Sequence, residues 1–141
     1  MPRKKRVLFI CGSNAARSQM AEGYLRARYG DAYEAFSAGL KSSTVSRDAI
    51  DVMAELGIDI SRQYSKDLRT FEGMPMDLVV TLCESEGRTC PVFPWGAETV
   101  HVPLPDPFRF QGTRKERLAG FRRVRDAIIE WIDRNLGDHG A

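Results

Sequence analysis

The segment from Cys11 to Ser18 sets a cysteine and an arginine, Arg17, close to the two ends of one short loop. It follows an apolar run at 7–10 and precedes a stretch with helical periodicity, so a buried strand should lead through a loop into a helix. The start of a helix offers unpaired backbone N–H groups and a positive dipole end, which hold tetrahedral oxyanions. A cysteine in such surroundings is favoured as the nucleophilic thiolate, and an arginine adds paired donors to the anion. The segment therefore predicts a nucleophile built into an anion-binding loop.

Strand-like and helical patterns alternate along the rest of the chain. Strands are predicted at 7–10, 33–37, 77–82 and 99–102, and helices at 17–29, at 47–56 and from Thr113 to Gly137. Ser46 is a predicted N-cap, Gly57 a predicted stop, and Thr113 with Glu116 has the spacing of a capping box. Strands separated by helices imply right-handed crossovers and a parallel sheet. The prediction is an α/β fold: a single three-layer domain over 1–141, with a four-stranded parallel sheet flanked by helices on both faces.

Two of the three cysteines fall at the ends of predicted strands. Cys11 follows the first strand and Cys83 follows the third. In open parallel sheets, ligands bind beyond the carboxyl ends of the strands. Both cysteines are therefore expected at the edge of the sheet that carries the chemistry.

Composition and charge exclude several classes of function. The net charge of +2 is too small to predict nucleic-acid or membrane binding, and the basic residues 3–6 are interpreted as a solvated entry to the first strand. No apolar stretch has the length of a membrane span, and no signal peptide is recognisable. An odd number of cysteines, three, fits a reducing compartment, and no pair has the short spacing of a zinc site. We expect a cytoplasmic protein without a metal.

Asp106 is a candidate general acid. Pro105 and Pro107 flank it and restrict where its carboxyl group can lie. Protonation of a leaving oxygen by a positioned carboxylic acid contributes about 10²–10⁴-fold to a rate. The alternative is that Pro-Asp-Pro forms only a turn.

Several motifs together resemble the low-molecular-weight protein tyrosine phosphatase fold, and in particular its thioredoxin-coupled arsenate reductase branch. They are Cys11 to Gly23, Ser37-Ala38-Gly39, Val80 to Cys83, Cys90-Pro91 and Leu104 to Pro107. The resemblance covers the chain from Val7 to the last helix. It implies that the oxyanion is bound by the residues Gly12, Ser13, Asn14, Ala15, Ala16, Arg17 and Ser18.

Three of these loop residues have expected individual roles. Asn14 resembles the asparagine that props the loop open through hydrogen bonds. Ser18 is expected to donate to the Cys11 thiolate, with a helix N-cap as the structural alternative. Gly12 is expected to allow a close backbone approach or an unusual dihedral.

The resemblance implies a relay between three cysteines. Cys11 attacks arsenate while Asp106 assists loss of the hydroxyl, Cys83 then attacks Cys11 and releases arsenite, and Cys90 finally attacks Cys83. Thioredoxin regenerates the thiols, with glutaredoxin or a small thiol as alternatives, and no cofactor is bound. The structural alternative is that Cys83 and Cys90 are unrelated cysteines.

The chain departs from its relatives at several positions. Ala16 stands where relatives often have a cysteine, so no disulfide can form within the loop. Some relatives bind potassium through four side chains; Asn14, Glu22 and Ser37 resemble three of them, but Lys66 stands at the fourth. An ammonium group there would repel a cation, so we expect no potassium requirement.

Phe108-Arg109-Phe110 stands where phosphatases of this fold often carry tyrosines, which favours a small inorganic substrate.

Two other functions remain open from the sequence. A low-molecular-weight tyrosine phosphatase would share the first chemical step and would need neither Cys83 nor Cys90. A non-catalytic module would use the loop only for oxyanion binding or redox sensing. Whichever function is correct, phosphate and sulfate should compete with arsenate for the loop. We expect a monomer by default.

Overall fold

A computed structural model describes residues 3–83 and 92–137 of the chain. The strands and α-helices follow one another in the order predicted. They are β1 (Lys5–Cys11), α1 (Arg17–Tyr29), β2 (Tyr33–Gly39), α2 (Arg47–Ala54), β3 (Leu78–Thr81), β4 (Thr99–His101) and α3 (Arg114–Asn135). Two 3-10 helices, Leu68–Phe71 and Pro107–Arg109, lie in the connections.

The strands form one four-stranded parallel sheet in the order β2-β1-β3-β4. The predicted α/β fold with a parallel sheet is confirmed. β1 and β2 are longer than their apolar runs, because backbone pairing continues from Lys5↔Tyr33 to Cys11↔Gly39. The central position of β1 brings its carboxyl end, Cys11, between the ends of β2 and β3.

The two faces of the sheet are covered differently. The larger core cluster joins β1 and β3 to all three α-helices, through side chains such as Phe9, Met20, Val52 and Phe121. The smaller cluster, on the other face, combines Leu8, Ile10 and Val79 with Phe71 of the first 3-10 helix and with loop residues. In the described part of the chain, the second face is covered by a 3-10 helix and loops, whereas the sequence predicted helices on both faces.

The predicted caps position the helices. Ser46 Oγ accepts a hydrogen bond from Ala49 N, and Thr113 with Glu116 forms the capping box at the start of α3. Gly57 follows α2 with φ +77°, the left-handed conformation that favours glycine at a helix end. Among the described helices, none combines the length and apolar character needed to cross a membrane.

Candidate active site

Cys11 is the last residue of β1, and its side chain is buried. Its Sγ atom lies 2.8 Å from Ser18 Oγ, which also accepts a 2.7 Å hydrogen bond from Asn14 Nδ2. Helix α1 begins at Arg17 with Ala16 as its N-cap, so Ser18 is not the cap residue. Its hydroxyl instead lies within hydrogen-bond distance of the Cys11 sulfur.

The loop between Cys11 and α1 is held from outside by donors to its carbonyl oxygens. The carbonyls of four consecutive loop residues accept these bonds: Gly12 from Leu40 N, Ser13 from Ser65 Oγ, Asn14 from Gln19 Nε2, and Ala15 from Ser46 N, at 2.8–3.1 Å. With the carbonyls engaged, the loop amides and the first turn of α1 remain as donors for an anion. This arrangement is compatible with the oxyanion-binding loop that the sequence predicted.

Asn14 is the structural centre of this loop. It is fully buried, and at φ 54° it is the one non-glycine residue with positive φ in the described part of the chain. Its Oδ1 accepts hydrogen bonds of 2.8 Å from Gln19 Nε2 and from Lys66 N. The unusual dihedral that the sequence suggested for Gly12 therefore occurs at Asn14, whose side-chain hydrogen bonds fix the turn.

Two residues that support the loop were missed by the sequence interpretation. Gln19 is fully buried, and its amide group joins Asn14 to the backbone of Tyr64. A Cβ atom on Gly39 would lie 2.8 Å from Asn14 N and from Gly12 O, so only glycine fits against the loop. The available signals were the motif Cys11 to Gly23, which contains Gln19, and the motif Ser37-Ala38-Gly39, but neither motif indicated what these two residues contact.

Arg17 connects the loop to the segments that carry the other predicted residues. Its Nη1 atom donates to the carbonyl oxygens of Leu82, at 3.3 Å, and Leu104, at 3.1 Å. Leu82 precedes Cys83, and Leu104 lies two residues before Asp106. The structure therefore joins the chain segments of Cys11, Cys83 and Asp106 at the carboxyl edge of the sheet.

Cys83 is buried just beyond β3 and is disulfide-bonded, whereas Cys11 is a free cysteine. Leu82 N donates to Ile10 O at 2.8 Å, so the β1–β3 pairing continues past the end of β3. Extending this register places Leu82, not Cys83, beside Cys11. Cys90, the third predicted cysteine, lies outside the described residues.

Asp106 is half-buried and forms the N-cap of the 3-10 helix Pro107–Arg109. Its Oδ1 atom accepts a 3.0 Å hydrogen bond from Phe108 N. The turn that was the structural alternative is therefore present. This hydrogen bond leaves other lone pairs of the carboxyl group available. Asp106 can therefore cap the turn and also act as an acid.

The side chains assigned by resemblance to a potassium site do not fit a metal cation. Lys66 Nζ lies 3.4 Å from Glu22 Oε1, which also accepts from Ser37 Oγ, and Arg26 binds Glu22 Oε2 at 2.6 Å. Two protein cations thus already balance the buried carboxylate. Among the described residues, no group of three or more His, Cys, Asp or Glu side chains is arranged to hold a metal.

Comparison with known proteins agrees with this geometry. An arsenate reductase of Halalkalibacterium halodurans is 43% identical over 125 residues, which cover 89% of this chain and 90% of the relative. A solved arsenate reductase in its phosphate-binding state has a TM-score of 0.82 at 34% identity and covers 97% of this chain and 99% of that chain. A thioredoxin-dependent arsenate reductase of Corynebacterium glutamicum has a TM-score of 0.64 at 26% identity and covers 91% of this chain and 60% of that chain.

The match to the family of low-molecular-weight phosphotyrosine protein phosphatases spans residues 6–136. It includes the anion-binding loop, the strands that end beside it and the helix α3 behind the Asp106 segment. The chain therefore belongs to the low-molecular-weight phosphotyrosine protein phosphatase family, with arsenate reductases among its near relatives.

Proposed function

We propose that this protein reduces arsenate to arsenite through a relay of three cysteine thiols. The observation that carries the proposal is the position of the Cys11 sulfur, 2.8 Å from Ser18 Oγ at the base of the anion-binding loop. Similarity to arsenate reductases over nine-tenths of the relative's length supports arsenate as the anion.

The first step forms a bond between Cys11 Sγ and arsenic. The thiolate attacks arsenate, an As–O bond breaks, and Asp106 protonates the departing oxygen so that it leaves as water. Ser18 stabilises the thiolate beforehand, and Arg17 with the loop amides binds the remaining oxygens. Arsenic is still pentavalent in this adduct.

The second step transfers the electrons. This step requires that the disulfide of Cys83 has first been reduced by an external dithiol. The Cys83 thiolate then attacks Cys11 Sγ, a disulfide forms between the two, and the electron pair of the S–As bond passes to arsenic, which leaves as arsenite. Cys90 then attacks Cys83, which restores the Cys11 thiolate and moves the disulfide outward. The register sets Leu82 rather than Cys83 beside Cys11, so the end of β3 must move for the first exchange.

An external dithiol completes the cycle by reducing the outer disulfide, with thioredoxin as the proposed donor. The similarity to a thioredoxin-dependent reductase of C. glutamicum supports this choice. We place the protein in the cytoplasm, where thiols are kept reduced, as a monomer without a bound cofactor.

A second candidate function is hydrolysis of phosphomonoesters through a phosphocysteine. Membership of a phosphatase family favours it, and Phe108, 51% exposed beside Asp106, offers an apolar surface to an aryl group. This reaction needs Cys11, Arg17 and Asp106 but neither of the other cysteines.

The test is arsenate-dependent oxidation of NADPH in the presence of thioredoxin and thioredoxin reductase. Wild type is compared with Cys83→Ser, Cys90→Ser and Asp106→Asn, and each variant is also assayed with p-nitrophenyl phosphate. Replacing thioredoxin by glutaredoxin, glutathione and glutathione reductase identifies the electron donor.

Turnover in wild type that both cysteine variants abolish is the expected result. Aryl phosphate hydrolysis that survives both substitutions, without arsenate-dependent turnover, would identify a phosphatase instead. If neither wild type nor Asp106→Asn turns over arsenate or the aryl phosphate while both bind phosphate, the loop serves only to bind anions.

A further inference from the structure

Helix α3 contains one glycine, Gly120, which is buried in the first half of the helix. Glycine is a poorer helix former than alanine because its backbone loses more freedom on folding. A glycine inside a helix that is otherwise rich in good helix formers therefore needs a reason in packing.

The reason is the ring of Phe110. A Cβ atom at Gly120 would lie 2.3 Å from Cδ2, 2.4 Å from Cγ and 2.9 Å from Cβ of Phe110. The guanidinium of Arg123, one turn later on α3, lies 5.2 Å from the centroid of the same ring. Gly120 and Arg123 thus form a notch on α3, and Phe110 fills it.

Phe110 ends a single hydrogen-bonded turn that begins at Asp106. Phe108 N donates to Asp106 Oδ1 and Arg109 N to Asp106 O, both at 3.0 Å, and Phe110 N donates to Pro107 O at 3.1 Å. Because these bonds make the turn one compact unit, a displacement of Phe110 moves the carboxyl group at its other end.

Other contacts hold the rest of this segment in place. Arg17 Nη1 binds Leu104 O at 3.1 Å, and the rings of Phe108 and Phe121 meet edge to face with centroids 5.7 Å apart. The turn that carries Asp106 is therefore held by Arg17 through Leu104 on one side and by α3 through Phe108 on the other.

We propose that Gly120 is a positioning residue for Asp106: the missing side chain lets Phe110 dock in the notch, and this docking places the acid over the anion. The inference rests on the proposed role of Asp106 as the general acid. A methyl group at position 120 would lift Phe110 and its turn away from α3. Misplacement of a reacting group by about an ångström can cost roughly 10²-fold in rate.

The experiment compares Gly120→Ala, Phe110→Ala and the double variant with wild type and Asp106→Asn. Single-turnover arsenate reduction measures the chemical step, and the inhibition constant for inorganic phosphate measures the anion-binding loop. Gly57→Ala is the matched control, because its φ of +77° strains alanine while the new Cβ atom has no neighbour within 4 Å. It should lower stability without changing the rate.

We expect Gly120→Ala to slow the chemical step by roughly 10- to 100-fold while phosphate inhibition stays near the wild-type value. The pH dependence of the remaining rate should resemble that of Asp106→Asn. In the Phe110→Ala background, Gly120→Ala should have little further effect, because the ring that it displaces is gone. If Gly120→Ala does not fold, Phe110→Ala carries the test, with the same loss of rate and unchanged phosphate inhibition.

A normal rate in folded Gly120→Ala, or in Phe110→Ala, would overturn the inference. The inference would also be overturned if Gly120→Ala lowered the rate by the same factor in wild type and in Phe110→Ala. If Asp106→Asn reduces arsenate at the wild-type rate, Asp106 is not the general acid, and the inference about Gly120 fails as well. If Asp106→Asn reduces arsenate slowly while Gly120→Ala and Phe110→Ala react at the wild-type rate, only the proposed role of Gly120 is rejected.

Discussion

Lys66 Nζ lies 3.4 Å from Glu22 Oε1, and the two side chains are only 8% and 6% exposed. The backbone N–H of the same lysine donates to Asn14 Oδ1 at 2.8 Å. One residue thus balances a buried carboxylate through its side chain and supports the anion-binding loop through its main chain. The cation that balances this carboxylate is thus part of the chain.

The first prediction follows from this pair. Arsenate reduction should proceed at the same rate in potassium and sodium salts of equal ionic strength. Lys66→Ala should lower the free energy of unfolding by about 2 kcal/mol, because Glu22 loses one cation but keeps its bonds from Arg26 and Ser37. Urea denaturation at pH 7 measures this change.

The variant should also acquire a response to potassium. Glu22 and Lys66 line a cavity of about 600 Å³, through which a cation can reach the carboxylate. Lys115→Ala, an exposed lysine on α3, is the control and should show neither effect. Potassium-dependent turnover in wild type would contradict this account of Lys66.

The second prediction concerns the backbone of Asn14. Asn14→Ala removes the acceptor for Gln19 Nε2 and Lys66 N and keeps the strain of a positive φ, so it should cost about 3 kcal/mol of stability. Asn14→Gly loses the same hydrogen bonds but tolerates the dihedral, so it should recover about 1 kcal/mol of this loss. Phosphate should inhibit both variants more weakly than wild type. Equal stability of the two variants would show that the dihedral of 54° carries no strain.

The elements next to strong local signals were predictable from the sequence. Helix α1 runs from Arg17 to Tyr29 as predicted, since the loop before it and Gly30 after it mark both ends. The capping box at Thr113 is likewise a property of residues close together in the chain. Such signals need no knowledge of the tertiary structure.

The parts of the site that depend on distant segments were not predictable. Gly39 contacts the loop from the end of β2, and Lys66 from the segment after α2, and only the folded sheet brings them to it. The same holds for the second face of the sheet, where Phe71 packs beside Leu8 although residues 58–77 show no helical pattern. Local pattern predicted the candidate nucleophile, and tertiary packing determines what holds it.

The third prediction concerns the pH dependence of stability. The hydrogen bond from Arg122, with help from Arg125, lowers the pKa of Glu55 from 4.5 to about 2. The bonds are 2.7 Å from Arg122 Nη2 and 2.8 Å from Arg125 Nη1, and they join α3 to the end of α2. Because the folded-state pKa is lowered, this stabilisation is complete above about pH 4.5 and is lost as the pH falls towards 2.

Glu55→Gln should therefore lower the free energy of unfolding at pH 7 by about 1 kcal/mol, since a carboxylate that is 37% exposed is partly screened by water. The difference from wild type should shrink below pH 4.5 and disappear near pH 2. Thermal unfolding between pH 2 and 7 measures it. Glu130→Gln breaks an ion pair whose partners are 67% and 74% exposed, and it should cost less. A difference for Glu55→Gln that persists at pH 2 would rule out this ion pair as its source.

The fourth prediction tests the contact between Gly39 and the anion-binding loop. A Cβ atom there would meet Asn14 N and Gly12 O at 2.8 Å and Cys11 O at 3.0 Å, and none of these backbone atoms can rotate away. Gly39→Ala must therefore displace the loop, and overpacking of this kind costs about 1–3 kcal/mol. If the strain falls on the anion-binding geometry, phosphate affinity should drop by roughly 10- to 100-fold.

Urea denaturation and isothermal titration with phosphate measure the two consequences. Gly12→Ala is the informative comparison inside the loop, because its new Cβ atom has no neighbour within 4 Å and should disturb the loop framework much less. A Gly39→Ala protein that binds phosphate as tightly as wild type would mean that the loop accommodates the added carbon by moving as a unit. The loop would then be adaptable, and the glycine at the end of β2 would serve the sheet rather than the site.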